Sequence, residues 1–292
     1  MLPRQELRRV VEMALAEDLA WGDATVQAII PDDLKAAGTI IAREEGVLAG
    51  IDVAGEVFRA LDPTVEFRAF AIDGDAIHRG QTLAAVQGLA ATILAAERVA
   101  LNFLQHLSGV ATITSRYVQA VAPYAARIVD TRKTTPGLRA LEKYAVVVGG
   151  GANHRQNLSD GILIKDNHLA ALSTRGLGLG EVVAMARRRA RHTQRVEVEV
   201  ETPEQAQEAA DAGADLVLLD NMSLEEMRRA VELIGGRALA EASGGVTLER
   251  VAAIAATGVD LISVGAITHS AKALDIALEF TADVSPGRQP RP

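Results

Sequence analysis

Arg195-Val196-Glu197-Val198-Glu199-Val200-Glu201 is the stretch on which the fold turns. It alternates strictly, which is the side-chain period of a β-strand, so three valines share one face and three glutamates the other. Residues 203–212 then read as a helix. In a curved sheet covered by helices the valines pack outward and the glutamates point inward. Same-face neighbours lie roughly 6.5–7 Å apart from the strand rise. Like charges buried that close need cations between them, or a proton. Lys165, Arg132 and a divalent metal are the candidates. An exposed edge strand with a polar outer face is the competing reading, and it suits a strand flanked by helical segments poorly.

Working outward, the same texture recurs on both sides. Short apolar runs at 126–129, 161–164, 216–219, 237–240 and 261–264 alternate with helical segments at 138–148, 181–191, 223–234 and 247–257. Strands alternating with helices imply parallel pairing through right-handed crossovers. Six or seven such units with short loops give an α/β chain with an incomplete (β/α) barrel. A doubly wound open sheet is the alternative. Upstream lies an α+β domain. It has a helix at 4–18, strands at 37–43 and 65–71, and a long helix at about 90–121. Residues 72–88 resemble the hammerhead hairpin of small biotinyl-like barrels, without a lysine at the tip, and read as structural. The expected division is an N-terminal domain at 1–108, joined by 273–292, and a barrel at 109–272.

A barrel presents its chemistry at the C-terminal ends of its strands. Asp130, Lys165, Glu199 or Glu201, Asp220, Glu241 and Gly265 stand there. Five of these six places are charged. The densest is Asp130-Thr131-Arg132-Lys133-Thr134-Thr135-Pro136-Gly137. Further cations follow in His154-Arg155, after Gly149-Gly150-Gly151, and in Lys165-Asp166-Asn167-His168, after Ile162-Leu163-Ile164. From Asp130 to His168 six Lys/Arg face four acids, yet the whole chain has 38 acids, 30 bases and a net charge of −8. A local basic focus on an acidic protein fits a small polyanion, whereas a nucleic-acid binder carries a basic excess or stripe. Taken singly, each cation is an ordinary surface charge. Two glycine motifs, Ser243-Gly244-Gly245 and Gly265-Ala266, follow the last two strands, where backbone N–H groups can hold a phosphate.

Composition removes other classes. There is no cysteine, so disulfides, thiolate metal sites and cysteine nucleophiles are excluded. No apolar run approaches the ~18 residues of a membrane span, and the first residues lack a signal-peptide core, so a cytoplasmic location is expected. Aromatics are 3% of residues, too few for nucleic-acid stacking platforms.

Together these motifs resemble the quinolinate phosphoribosyltransferase family. The resemblance is carried by Asp130–Gly137, by Gly149-Gly-Gly-Ala-Asn-His-Arg155 and by Leu163-Ile-Lys-Asp-Asn-His168. Upstream it includes Glu97-Arg98 through Gly109, and downstream Glu197-Val-Glu-Val, Leu219-Asp-Asn221, Ser243-Gly-Gly245 and Val264–His269. It implies attack of quinolinate on C1 of phosphoribosyl pyrophosphate (PRPP), with release of pyrophosphate and CO2 and formation of nicotinate mononucleotide for NAD biosynthesis. It also implies a homodimer in which Arg98 reaches the neighbouring site. By motif position Arg98, Arg132, Lys133, His154, Arg155 and Lys165 would bind quinolinate. Ser243, Gly244, Gly245 and Gly265 would hold the 5′-phosphate. Lys165, Glu199 and Asp220 would serve catalysis, with Glu199 and Asp220 holding Mg2+ largely through water and phosphate. A related transferase using another acid or base, such as the homologue found near molybdate-transport systems, is one alternative. A non-catalytic sensor of phosphorylated metabolites on the same barrel is another.

Overall fold

The computed structural model describes residues 2–281. Among them the chain forms two compact units. One comprises residues 2–113, 135–149 and 271–281, the other 114–134 and 150–270.

The chain begins with α1 (Arg4–Leu19), α2 (Ala24–Ile29), β1 (Lys35–Ala42), β2 (Gly46–Val47), α3 (Ile51–Leu61), β3 (Glu66–Ala69), β4 (Ala76–Ile77), β5 (Thr82–Leu89) and α4 (Ala90–Val121). β1 alternates between buried and half-exposed positions, the mark of an antiparallel sheet with one covered face. β5 pairs antiparallel with β1 and β3, whereas β4 pairs with β2. The two arms of the expected hairpin at 72–88 therefore do not pair with each other. The 78–81 turn, closed by Gln81 N–H on His78 O (3.1 Å), hands the chain to the longer apolar edge of β1. The Asp73 carboxylate accepts from the N–H groups of Gly50 and Ile51 at the start of α3, both at 2.9 Å.

After α4 come β6 (Arg127–Val129), α5 (Arg139–Val148), β7 (Ile162–Ile164), α6 (Asp166–Ser173), α7 (Leu179–Arg189), β8 (Val196–Val200), α8 (Pro203–Asp211), β9 (Leu216–Asp220), α9 (Leu224–Ile234), β10 (Leu239–Ser243), α10 (Val251–Ala255), β11 (Leu261–Ser263), α11 (Ala266–His269) and β12 (Ile276–Thr281). β12 adds to β1 and completes the four-stranded sheet of the first unit. α5 also groups with that unit. Its Glu142, fully buried, accepts from His106 Nε2 (2.9 Å) and from Thr135 N–H (3.1 Å), and its Tyr144 hydroxyl donates to Asp73 (2.6 Å).

The second unit is built on a parallel six-stranded sheet in the order β6-β11-β10-β9-β8-β7. Sequence neighbours β6 and β7 stand at opposite edges, so the sheet curls into an incomplete barrel that does not close between them. Ala152 adds one parallel bridge to Val129 on the β6 edge. The valines of β8 are 0–2% exposed, packed beneath helices as the alternation requires. β9 is apolar on both faces, as a strand in the middle of a covered parallel sheet must be. α8 starts where Thr202 caps the Gln205 N–H and Pro203 takes the first turn.

Candidate active site

Strand alternation sorts the inward side chains into levels. At the C-terminal ends, Thr131, Arg132, Lys133, Lys165, Glu199 and Asp220 line a cavity of about 590 Å3, and Ser243, Gly244 and Gly245 form part of its wall. His154, Arg155 and Glu241 lie at its floor. Ten of the residues singled out from sequence thus share one chamber, of a size suited to a small ligand. Gly265 lies beside it, where an added Cβ would sit 3.2 Å from Lys133 Cδ. Arg98 does not line this chamber. It is exposed and lines a separate cavity in the first unit, with Met13, Phe103, His106 and Pro136.

Three acids that sequence reasoning left without a role support the chamber. Asp130, fully buried at the end of β6, accepts from His154 N–H (2.9 Å) and Asn153 Nδ2 (2.6 Å), fixing the 153–155 loop that Ala152 ties to β6. Glu197 accepts from His154 Nε2 at 3.1–3.2 Å. His154 Nδ1 accepts the Arg155 N–H at 2.7 Å, so the neutral ring carries its proton on Nε2, facing Glu197. Both ring nitrogens are therefore engaged within the protein. Burial works against the imidazolium, but the Glu197 and then the Glu241 carboxylates outweigh it and raise the pKa of His154. The third acid, Glu241, is 0% exposed, and neither oxygen meets a donor in full hydrogen-bond geometry, although the Ser263 hydroxyl lies near enough to lower its pKa somewhat. His154 Nε2 is 3.6 Å from it. Burial first, then repulsion from Glu197, pushes its pKa up to about 7. Burial also lowers the pKa of Arg155, against the pull of Glu197.

Closer to the opening, Lys165 pairs with Glu199. Lys165 is the residue just before α6, and its N–H donates to His168 Nδ1 (2.9 Å). This helix is not among the helical segments expected from the sequence. Asp220 accepts from Asn221 Nδ2 (2.9 Å). Asn221 has φ 54°, the left-handed region that non-glycine residues rarely enter. Its N–H reaches Ser243 O (3.0 Å), and a Cβ on Gly244 would fall 2.2 Å from its Oδ1. Gly244 and Gly245 both have positive φ. The helix expected at Thr247 begins instead at Val251, because 248–250 form turns. Ser243-Gly-Gly245 thus offers a glycine cradle without a helix start behind it. Thr268 Oγ1 donates to Lys133 O (2.7 Å), which anchors the Arg132-Lys133 loop from α11.

The chamber holds hard oxygen donors, Glu199 and Asp220, beside a cationic wall of Arg132, Lys133, Arg155 and Lys165. That arrangement suits an anion with several charges, held by cations on one side and by a cation-bridged phosphate on the other.

Comparison with known proteins places the chain in a family. The family model for the quinolinate phosphoribosyl transferase N-terminal domain matches residues 23–108, and that for the C-terminal domain matches residues 110–279. A probable nicotinate-nucleotide pyrophosphorylase [carboxylating] from Bacillus subtilis is 44% identical over 94% of this chain and 94% of its own. A quinolinate phosphoribosyltransferase [decarboxylating] from Nicotiana tabacum is 42% identical over 97% of this chain and 84% of its own. The crystal structure of NadC from Streptococcus pyogenes superposes with a TM-score of 0.91 at 43% identity, covering 96% of this chain and 98% of that one. The chain belongs to the quinolinate phosphoribosyltransferase family.

Proposed function

We propose that this chain carries out the reaction for which its relatives are named, with the chamber at the C-terminal strand ends as its seat. Quinolinate takes the phosphoribosyl group of PRPP, and nicotinate mononucleotide, pyrophosphate and CO2 are formed in NAD biosynthesis. The observation that carries the reading is the convergence of Arg132, Lys133, Arg155 and Lys165 on one chamber that Glu199 and Asp220 also line.

Quinolinate carries two adjacent carboxylates, which planar guanidinium forks grip in pairs. Arg132 and Arg155 do this, with Lys133 and Lys165 adding charge. His154, held from both nitrogens, sets the wall beside Arg155. The glycine cradle and Ser243 receive the 5′-phosphate. Glu199 and Asp220 stabilise positive charge developing at the ribosyl carbon. These two carboxylates also fit Mg2+, which favours few protein ligands plus phosphate oxygens. When bound, Mg2+ neutralises the leaving pyrophosphate. Arg98 completes the site of a second copy in a homodimer. A cytoplasmic setting suits the reaction, and among the described residues no helix is long and apolar enough to cross a membrane.

The test is to follow pyrophosphate and CO2 together. Equal release with quinolinate and PRPP, abolished by a chelator and restored by Mg2+, is expected. Pyrophosphate release with another pyridine acid but none with quinolinate would overturn the reading.

A further inference from the structure

The barrel is hollow at both ends. At the N-terminal ends of its strands lies a second cavity of about 520 Å3, which shares only His154, Arg155 and Glu241 with the chamber above. Part of its wall is a ring of apolar strand-opening residues, Ile162 of β7, Leu216 of β9, Leu239 of β10 and Leu261 of β11, within a lining that is otherwise largely polar. Arg127, Arg191 and Arg195 also line it, and all three are exposed. No side chain among the described residues pairs with any of these guanidiniums, although the same region pairs Arg187 with Asp215. Arg191 and Arg195 belong to a local basic excess, Arg187-Arg188-Arg189-Ala190-Arg191-His192-Thr193-Gln194-Arg195, in a chain of net charge −8, and Arg127 joins them from the start of β6. The acids that line the cavity are otherwise occupied. Asp160 accepts from Gln156 N–H (2.9 Å), Glu197 holds His154, and Glu241 is pressed toward its neutral form by burial.

Arginines without a side-chain partner beside a ring of four apolar strand ends can take an anion that also carries an apolar body. We propose that this lower mouth is a second ligand site, taking a small organic anion whose flat apolar body fills the strand-end ring and whose phosphate or carboxylate head meets Arg127, Arg191 and Arg195. It stands whatever chemistry the chamber above performs, although the two cavities meet at His154, Arg155 and Glu241.

Calorimetric titration of the full chain with two probes, AMP and 2-naphthoate, tests this. At least one should bind, and inorganic phosphate alone should bind at least about tenfold more weakly because it lacks the body. Arg127→Ala/Arg195→Ala should raise the dissociation constant at least about tenfold, with pyrophosphate-release kinetics unchanged. Leu239→Trp, which fills the ring and keeps every charge, should also remove binding, so a folding defect in one variant does not decide the matter. Arg132→Ala, in the upper chamber, should leave binding intact. Absence of binding by both probes at millimolar concentration would overturn the proposal. So would binding that both lower variants retain, or that only Arg132→Ala removes.

Discussion

Glu241→Gln makes the electrostatics of the barrel interior measurable. The carboxyl is fully buried, has little hydrogen bonding beyond the nearby Ser263 hydroxyl and faces Glu197, so its pKa stands near 7 against an ordinary 4.5. Between those values the native state keeps a proton that the unfolded chain has released. Stability must then fall as pH rises through this window, and the deficit is complete above about 7. The gap corresponds to about 3 kcal/mol. Glutamine keeps the shape and removes the titration. Urea unfolding of both proteins should give similar stabilities near about pH 5, and the variant should gain up to about 3 kcal/mol by about pH 8. The difference between the two curves cancels every other titrating group that the substitution leaves alone. Parallel curves across the window would refute the reasoning. They would mean that Glu241 is ionised throughout, matched by a cation such as His154.

Gly244→Ala should cut activity at least about tenfold and cost about 2 kcal/mol or more in thermal unfolding, since it meets a positive φ and the Asn221 backbone N at 2.9 Å. Asp130→Asn places a donor against the His154 N–H or the Asn153 amide, so KM for quinolinate should rise more than kcat falls, at a stability cost of about 1–3 kcal/mol by calorimetry. Mixing inactive Arg98→Ala and Lys165→Ala chains should restore about a quarter of wild-type activity if each site borrows one arginine, because half the dimers are mixed and each has one intact site. No recovery despite demonstrated subunit exchange would assign Arg98 to its own chain or to no site.

What the sequence disclosed and what it hid divide along the range of the interactions. β8 was legible because alternation is local, and the chamber followed because strand ends in a barrel point one way. β10 was expected at 237–240 and lies at Leu239–Ser243, because its place is set by pairing with β9, Leu239 against Leu216. α5 reads locally as one more barrel helix. It groups with the first unit, and its Glu142 is held by His106, a partner 36 residues away. The cations that line the chamber could be found because they crowd into motifs. The acids that hold them could not, since Asp130 meets His154 across 24 residues and His154 meets Glu197 across 43. An acid's role depends on burial and on a distant partner, and neither leaves a periodicity. Glu197, Glu199 and Glu201 are equivalent by pattern, yet depth in the barrel separates them. Glu197 is buried on His154, Glu199 is half-buried on Lys165, and Glu201 is exposed past the end of the strand. The alternation therefore supplied three candidates, and the level each occupies along the barrel axis distinguishes a support from a ligand of the chamber.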